Sequence, residues 1–317
     1  MNLKFTVSNQ TNPYVNVAVE NWLVAQPDND SVVLYLWKNH RTVVIGQNQN
    51  PFAECDVQRL NADGGYVMRR TTGGGAVYHD DGNINFSFVA SPSLYDQARH
   101  FDVIAQALKH FGIEAEVSGR NDLLANGRKF SGNAFSKGRH QWLHHGTLLI
   151  RGNVDDLSRY LRVKPSKLHK HGVASVQSRI VNLSELNPSL NSDNIVPHLL
   201  SAFESTYGAK AQSVDFDQIV SQPDTQELTA KYSSKEWLYG RWQNFTAQYA
   251  HQFDWGEVEL SITVDEATQT ITDVALATDA LDVELSAKVR NLLVGASTLT
   301  PPTTDDKIIS DILTLIW

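Results

Sequence analysis

Directly after Asn12-Pro13, Val15, Val19, Trp22 and Leu23 recur at helical spacing. Asn supplies an N-cap and Pro suits the first helical position, so the segment predicts a helix with one buried face. Val32 to Trp37 is a continuous apolar run and reads as a strand. Thr42 to Gly46 reads as another, and the short polar link between them predicts a hairpin. Asp56 to Asn61 predicts a short helix, and Tyr66 to Arg69 a strand. Asn83 to Val89 alternates polar and apolar residues, the pattern of a half-buried strand. Residues 96–110 predict a helix with Phe101, Ile104, Ala105 and Leu108 on one face. Further strands are predicted at Asp122 to Ala125, Arg128 to Phe130 and Gly146 to Ile150, and helices at Asp155 to Leu161 and 195–207. Strands and helices mix without strict βαβ alternation. That favours a mixed α/β, or α+β, fold over a doubly wound parallel sheet.

The pattern changes between Phe245 and Phe253. An aromatic, basic stretch, Lys235 to Trp242, precedes it. After it come predicted strands at Glu257 to Val264 and Thr270 to Leu276, then helices at Leu285 to Leu293 and Asp305 to Leu315, with acidic residues dominant. The expected organisation is a catalytic domain over 1–245 and a small α+β accessory domain over 246–317. A length of 317 residues suits two domains.

Composition narrows the function classes. The chain is 41% hydrophobic and 20% charged, with a net charge of -8. An acidic balance argues against non-specific nucleic-acid binding and against an anionic membrane surface. No apolar run approaches a membrane span. The one cysteine, Cys55, cannot form an intramolecular disulfide, which points to a reducing, cytoplasmic setting.

Two segments concentrate chemistry. The first is Arg69-Arg70-Thr71-Thr72-Gly73-Gly74-Gly75-Ala76-Val77-Tyr78-His79-Asp80. A glycine run lets backbone N–H groups approach an anion, and Arg adds a fork of further donors. A flexible turn between two strands is the plain alternative. The second is Gly119-Arg120-Asn121-Asp122, followed by Gly127 to Ala134 with Lys129, and then His144-His145-Gly146-Thr147. Asp122 suits Mg²⁺ or a ribose hydroxyl, and Lys129 suits an anion. The plain alternative is a pair of hairpin turns with a solvated lysine. Adjacent histidines on a strand face opposite ways, so at most one of His144 and His145 should reach a pocket.

Familiar phosphate and metal signatures are missing. There is no G-x-x-x-x-G-K-[ST], and Tyr78 stands where G-x-G-x-x-G needs its third glycine. The kinase motifs H-R-D and D-F-G are absent. Neither His144-His145 nor His169-Lys170-His171 has H-E-x-x-H spacing or a cysteine partner, which disfavours zinc. No G-x-S-x-G elbow marks a serine nucleophile.

Taken in order, these motifs resemble the lipoate–protein ligase A family. The matching residues are Leu34 to Trp37, Val44 to Asn50, Arg70 to Asp80, Gly119 to Leu123, Lys129 to Ala134, His145 to Leu149 and Gly172 to Leu183. They span residues 10–185, and the region after Trp237 resembles the family's accessory domain more loosely. The resemblance implies a mixed α/β catalytic domain of the kind shared with biotin–protein ligases. It implies formation of lipoyl-AMP from lipoate and MgATP, with release of pyrophosphate. The acyl group then passes to a lysine of a lipoyl carrier, either the lipoyl domain of a 2-oxoacid dehydrogenase E2 subunit or the glycine cleavage H protein. It also implies a monomer.

Carried over residue by residue, Arg70, Gly73, Gly74, Gly75, Ala76, Val77, Tyr78 and Lys129 bind nucleotide. Lys129 also contacts the lipoyl carboxyl oxygen and the α-phosphate and, with Asp122, is catalytic. Asn121 and Asp122 position Mg²⁺ or the adenylate, with Asp122 the metal ligand. Residues 172–183 form a loop over the adenylate. His79 is a further cofactor-site candidate, although His79 and Asp80 also suit a bracing role. His79 and Asp122 are candidate bases for the acceptor lysine, as is the adenylate phosphate. The rival of the same fold is an ATP-independent lipoyl or octanoyl transferase with a cysteine nucleophile, for which only Cys55 is available. Cys55 reads better as a buried structural residue. The Gly-Arg-rich loop of biotin ligases is absent. A non-catalytic carrier-binding homologue is the remaining alternative.

Overall fold

A computed structural model describes residues 1–119, 121–162, 180–239, 247–265, 268 and 270–317. Its largest sheet grows around one strand. β2 (Ser31–Trp37) is buried along its whole length, as a Val, Leu, Tyr and Trp-rich strand covered on both faces must be. Its edges are taken by β1 (Asn2–Val7), in parallel, and by β6 (Asn83–Ala90), antiparallel. β10 (Trp142–Leu149), β9 (Arg128–Lys137), β8 (Asp122–Ala125) and β7 (Glu116–Ser118) continue one side. β11 (Ala211–Ser213) closes the other, giving the order β11-β1-β2-β6-β10-β9-β8-β7.

A second sheet, β4-β3-β5, lies beside it: β3 (Thr42–Ile45), β4 (Tyr66–Arg69) and β5 (Val77–His79). The expected hairpin of β2 with β3 therefore does not form. Both edges of β2 are used by β1 and β6, and both edges of β3 by β4 and β5. The link between them instead crosses from one sheet to the other through Arg41, at φ 32.

The period-two alternation of β2 sorts the core. Val32, Leu34 and Leu36 pack under the helices Gln97–Lys109 and Ile195–Tyr207, with Phe86, Phe88 and Phe203. Val33, Tyr35 and Trp37 face the helix α1 (Pro13–Ala25) and the small sheet, with Val44 and Met68. Asn12 caps α1 by accepting from the Tyr14 N–H, as its sequence predicts. β6 is not half-buried: all eight of its residues are covered. Its polar members are internal because they bond to one another and to neighbours, as Asn83 does to Asn85 and Trp37 Nε1 to Ser87. The helical face at 97–109 includes Val103 and Ala107 in its buried set, with Ala105 only half-buried.

After residue 246 the chain builds its own apolar cluster. β12 (Ala247–Phe253), β13 (Gly256–Asp265) and β14 (Thr270–Thr278) form an antiparallel sheet under the helices Leu285–Leu293 and Lys307–Leu313. Val258, Leu260, Ile271, Val289 and Ile312 are buried there. β12 is missed by the sequence pattern, because its one packed face, Ala247, Tyr249 and Phe253, is interrupted by His251 and only partly buried. Among the described residues, no helix is long and apolar enough to cross a membrane.

Candidate active site

A cleft of about 220 Å³ opens between the two sheets. The glycine run forms one wall, and Lys129, Asn121, Asn133 and Thr147 border the other. Val17, Trp37, Val44, Met68 and Val77 supply apolar lining.

β4 ends at Arg69, which is fully buried and donates to the carbonyls of Gly46, Gln47 and Gln49. It also donates to Trp237 and Leu238, tying the 46–49 loop to the helix Lys235–Tyr239. Arg70, next in sequence, turns into the glycine run. Its guanidinium donates to Thr72 Oγ1 and to the carbonyls of Gly73, Gly75 and Val44. Burial pushes it down to about 10, a shift opposed by the Glu20 carboxylate.

The three glycines have different surroundings. A Cβ on Gly73 would collide with the backbone of Ala280 and Leu281, from the segment following β14. Gly74 alone of the three has positive φ, 97°, and its N–H donates to the Ala280 carbonyl at 3.3 Å. Gly75 has open space where a Cβ would stand. Asn48 adds to the contact with the C-terminal region by donating to Asp282 and Val283 and by accepting from the Thr278 N–H.

At the other end of the cleft lies a closed polar network. Glu20, on α1 and 1% exposed, accepts from Ser87 at 2.5 Å and faces His145 Nδ1 at 2.9 Å. His145 Nε2 is 3.0 Å from Thr72 Oγ1, which already accepts from Arg70. The Glu20 carboxylate can only accept, so Nδ1 carries a proton towards it, and in that neutral tautomer Nε2 accepts from the Thr72 hydroxyl. Of the two adjacent histidines, His145 borders the cleft. His144 packs among Phe86, Phe101 and Phe135 on the opposite face.

β5 sorts the next candidates by alternation. Val77 and His79 border the cleft, whereas Tyr78 turns away to pack against Tyr160 at 5.6 Å. Tyr78 can offer the cleft only its backbone. His79 Nδ1 accepts from Asn39 at 3.3 Å, so Nε2 carries the proton, buried and without a bonding partner. Burial, aided by Arg70 and His145, pushes His79 down to about 3, so the ring is neutral at ordinary pH. Asp80 braces a turn, accepting from the Gly82 and Asn153 N–H groups.

The β8–β9 hairpin presents the second cluster. Asn126 and Gly127, both at positive φ (50° and 72°), make its tight turn. Lys129 and Asp122 pair across it at 2.7 Å, each side chain roughly a third exposed (39% and 34%). Val181 N–H donates to the Lys129 carbonyl, and Ile180 bridges to Lys129. Asn121 lies beside Asn133, whose N–H donates to its carbonyl. Ala76 borders the cleft next to Gly75. Arg120, the 172–179 portion of the expected loop, His169-Lys170-His171 and Gly240 to Trp242 lie outside the described residues.

Cys55 is fully buried with Val43, Ile45 and Leu60, and burial pushes its thiol up to about 12. It does not border the cleft. Sequence reasoning passed over Glu20, and it gave no site role to Trp37 or Asn133, although both lie within the motifs that carry the resemblance. The one available signal was Glu20, a carboxylate set among Ala18, Val19 and Leu23 on the buried side of α1.

Residues 12–204 match the model of the lipoyl protein ligase A/B catalytic domain. The chain belongs to this family. It is 38% identical over 292 residues to a lipoate-protein ligase A of Psychrobacter cryohalolentis, spanning 90% of this chain and 86% of that protein. It is 39% identical over 285 residues to one of Bdellovibrio bacteriovorus, spanning 88% and 84%. Among solved structures, it resembles Plasmodium falciparum LipL1 in complex with lipoate, with a TM-score of 0.82, 28% identity and 99% of each chain covered. A bipartite lipoate protein ligase from Thermoplasma acidophilum shares the fold at a TM-score of 0.67 and 24% identity, over 78% of this chain and all (100%) of that one.

Proposed function

We propose that the chain is an ATP-dependent lipoate–protein ligase. A lipoate carboxylate oxygen attacks the α-phosphorus of ATP, and pyrophosphate leaves. The amine of an acceptor lysine then attacks the acyl carbon of lipoyl-AMP, forming an amide and releasing AMP. The observation that carries this reading is a single cleft joining an apolar channel to Lys129 and a glycine-run backbone. Such a site suits an acyl tail at one end and phosphoryl oxygens at the other. The named relatives and the lipoate-bound Plasmodium neighbour support the substrate class.

Lys129 is the group we assign to charge on the α-phosphate and then on the tetrahedral intermediate. Asp122 holds it in place until substrate arrives. The N–H groups of Gly75, Ala76 and Val77 are assigned to phosphate or ribose oxygens, with Arg70 holding the Gly75 carbonyl. Mg²⁺ is assigned to Asp122 together with phosphate oxygens and water. Among the described residues no cluster of three or more His, Cys, Asp or Glu stands ready for a metal. That donor set fits Mg²⁺, which typically takes one or two carboxylates plus substrate phosphates. When bound, the ion supplies charge neutralisation at the phosphates.

We assign catalysis to residues 1–245 and an accessory role to 246–317, and infer a cytoplasmic monomer. The acceptor is a lipoyl carrier: an E2 lipoyl domain, as accompanies the Thermoplasma ligase, or the glycine cleavage H protein. A cysteine-nucleophile transferase gains no support, because the Cys55 thiol is buried away from the cleft. The deciding experiment is lipoate-dependent exchange of labelled pyrophosphate into ATP. The ligase reading expects exchange without any acceptor protein, and folded protein that shows none overturns it.

A further inference from the structure

Behind the cleft wall, on the far side of β10, two buried histidines have no role in the chemistry above. His100 and His144 are both 0% exposed. His100 stacks on Phe88 at 4.4 Å, and His144 lies among Phe86, Phe101 and Phe135. Imidazoles so enclosed by rings are neutral, because burial outweighs the pull of the Asp96 carboxylate near His100. Their Nδ1 atoms are 3.3 Å apart, so one donates and the other accepts.

The surrounding bonds decide which. Asn133 Nδ2 donates to the Asn121 carbonyl at 3.1 Å and to Ser131 Oγ at 3.2 Å. Its amide oxygen must then face His144 Nε2, 2.9 Å away. His144 therefore carries its proton on Nε2 and accepts at Nδ1. His100 carries its proton on Nδ1, leaving Nε2 as a bare acceptor, and that atom is buried without a partner. The seat is tight, because a Cβ on Gly146 would collide with Asn133 Oδ1.

The chain of bonds ends at the cleft. The Asn133 N–H donates to the Asn121 carbonyl at 2.8 Å, and Asn121 Nδ2 donates to the Asn133 carbonyl at 3.1 Å. Asn121 directly precedes Asp122, the partner of Lys129. Were the Asn133 amide turned over, its oxygen would oppose the Asn121 carbonyl, replacing one of the three hydrogen bonds between the two residues by a repulsion. We propose that His144, held in one tautomer by His100, is a positioning residue for adenylation: through Asn133 it sets Asn121 and hence the Asp122–Lys129 pair. This rests on the ligase reading above.

The test compares His144→Gln, whose amide can still donate towards Asn133, with His144→Leu, which cannot. The His144→Leu enzyme should lose about 10- to 100-fold in kcat for pyrophosphate exchange, with KM for lipoate little changed. The His144→Gln enzyme should recover most of that loss at equal or lower urea stability. Equal kcat in both variants, whether normal or reduced, overturns the proposal. NMR of the histidine ring nitrogens in the unaltered protein needs no variant, so it decides even where His144→Leu fails to fold. It should find His144 protonated on Nε2 alone and His100 on Nδ1 alone, and the reverse assignment overturns the proposal. If the unaltered protein shows no exchange while the tautomers hold, the ligase reading fails and the hydrogen-bonded clamp stands.

Discussion

Arg70 and Lys129 both border the cleft, one sealed under the glycine run and the other on its open side. The Arg70 guanidinium is spent on Thr72 and on the carbonyls of Gly73, Gly75 and Val44. Removing a buried donor that serves several carbonyls leaves each of them to bear its own desolvation. Lys129 has Asp122 across a half-exposed gap, an arrangement worth at most about 1 kcal/mol and easily exchanged. One cation thus builds the floor, and the other is available to follow charge as it develops. The sequence presents both as basic residues beside glycine, and their chemical roles part only through burial.

The contrast predicts a large effect at Lys129 with little cost in stability. Lys129→Ala should lower pyrophosphate exchange by about 10²- to 10³-fold while the urea midpoint barely moves. A matching fall in stability would place Lys129 with Arg70 as scaffold.

Acid should weaken the buried side first. His79 is neutral in the fold, held at about 3, against 6.5 when unfolded. The unfolded chain therefore binds the extra proton between these values. The stability present above pH 6.5 should drain away as pH falls towards 3, by up to about 1.4 kcal/mol per pH unit. Urea titrations across that range should be shallower for His79→Gln, and an unchanged slope would remove His79 from this account.

The glycine run offers a finer division. Gly73→Ala should cost about 1–3 kcal/mol, since backbone at Ala280 and Leu281 must shift. Gly75→Ala, facing open space, should stay within about 0.5 kcal/mol. Chemical denaturation of the two variants side by side separates them, and equal losses would show that the C-terminal contact does not constrain Gly73. The smallest effect is expected at Cys55. Cys55→Ala should cost roughly 1 kcal/mol and leave exchange intact. A folded but inactive Cys55 variant would revive the transferase alternative.

Much of this was legible along the chain. The Asn12-Pro13 start of α1, the apolar run of β2 and the helices at 97–109 and 195–207 follow from local caps and periodicity. The glycine run and the Asn121 to Ala134 segment were found because residues of one chemistry cluster within a short stretch of chain. The pairing of β3 was not legible, because strand partners are chosen by which edges remain free. The burial of β6 was hidden for a related reason: alternation looks the same whether its polar face meets water or a hydrogen-bonded interior.

By itself the sequence determined many of the local elements, the order of the motifs and the family they resemble, since all of these depend on near neighbours along the chain. Only the tertiary structure decided that Glu20 meets His145, that Tyr78 turns from the cleft, and that Ala280 leans on Gly74. Those contacts join residues up to some two hundred positions apart. Their partners are set by the stacking of two sheets and the close packing between them, which no short window of sequence contains.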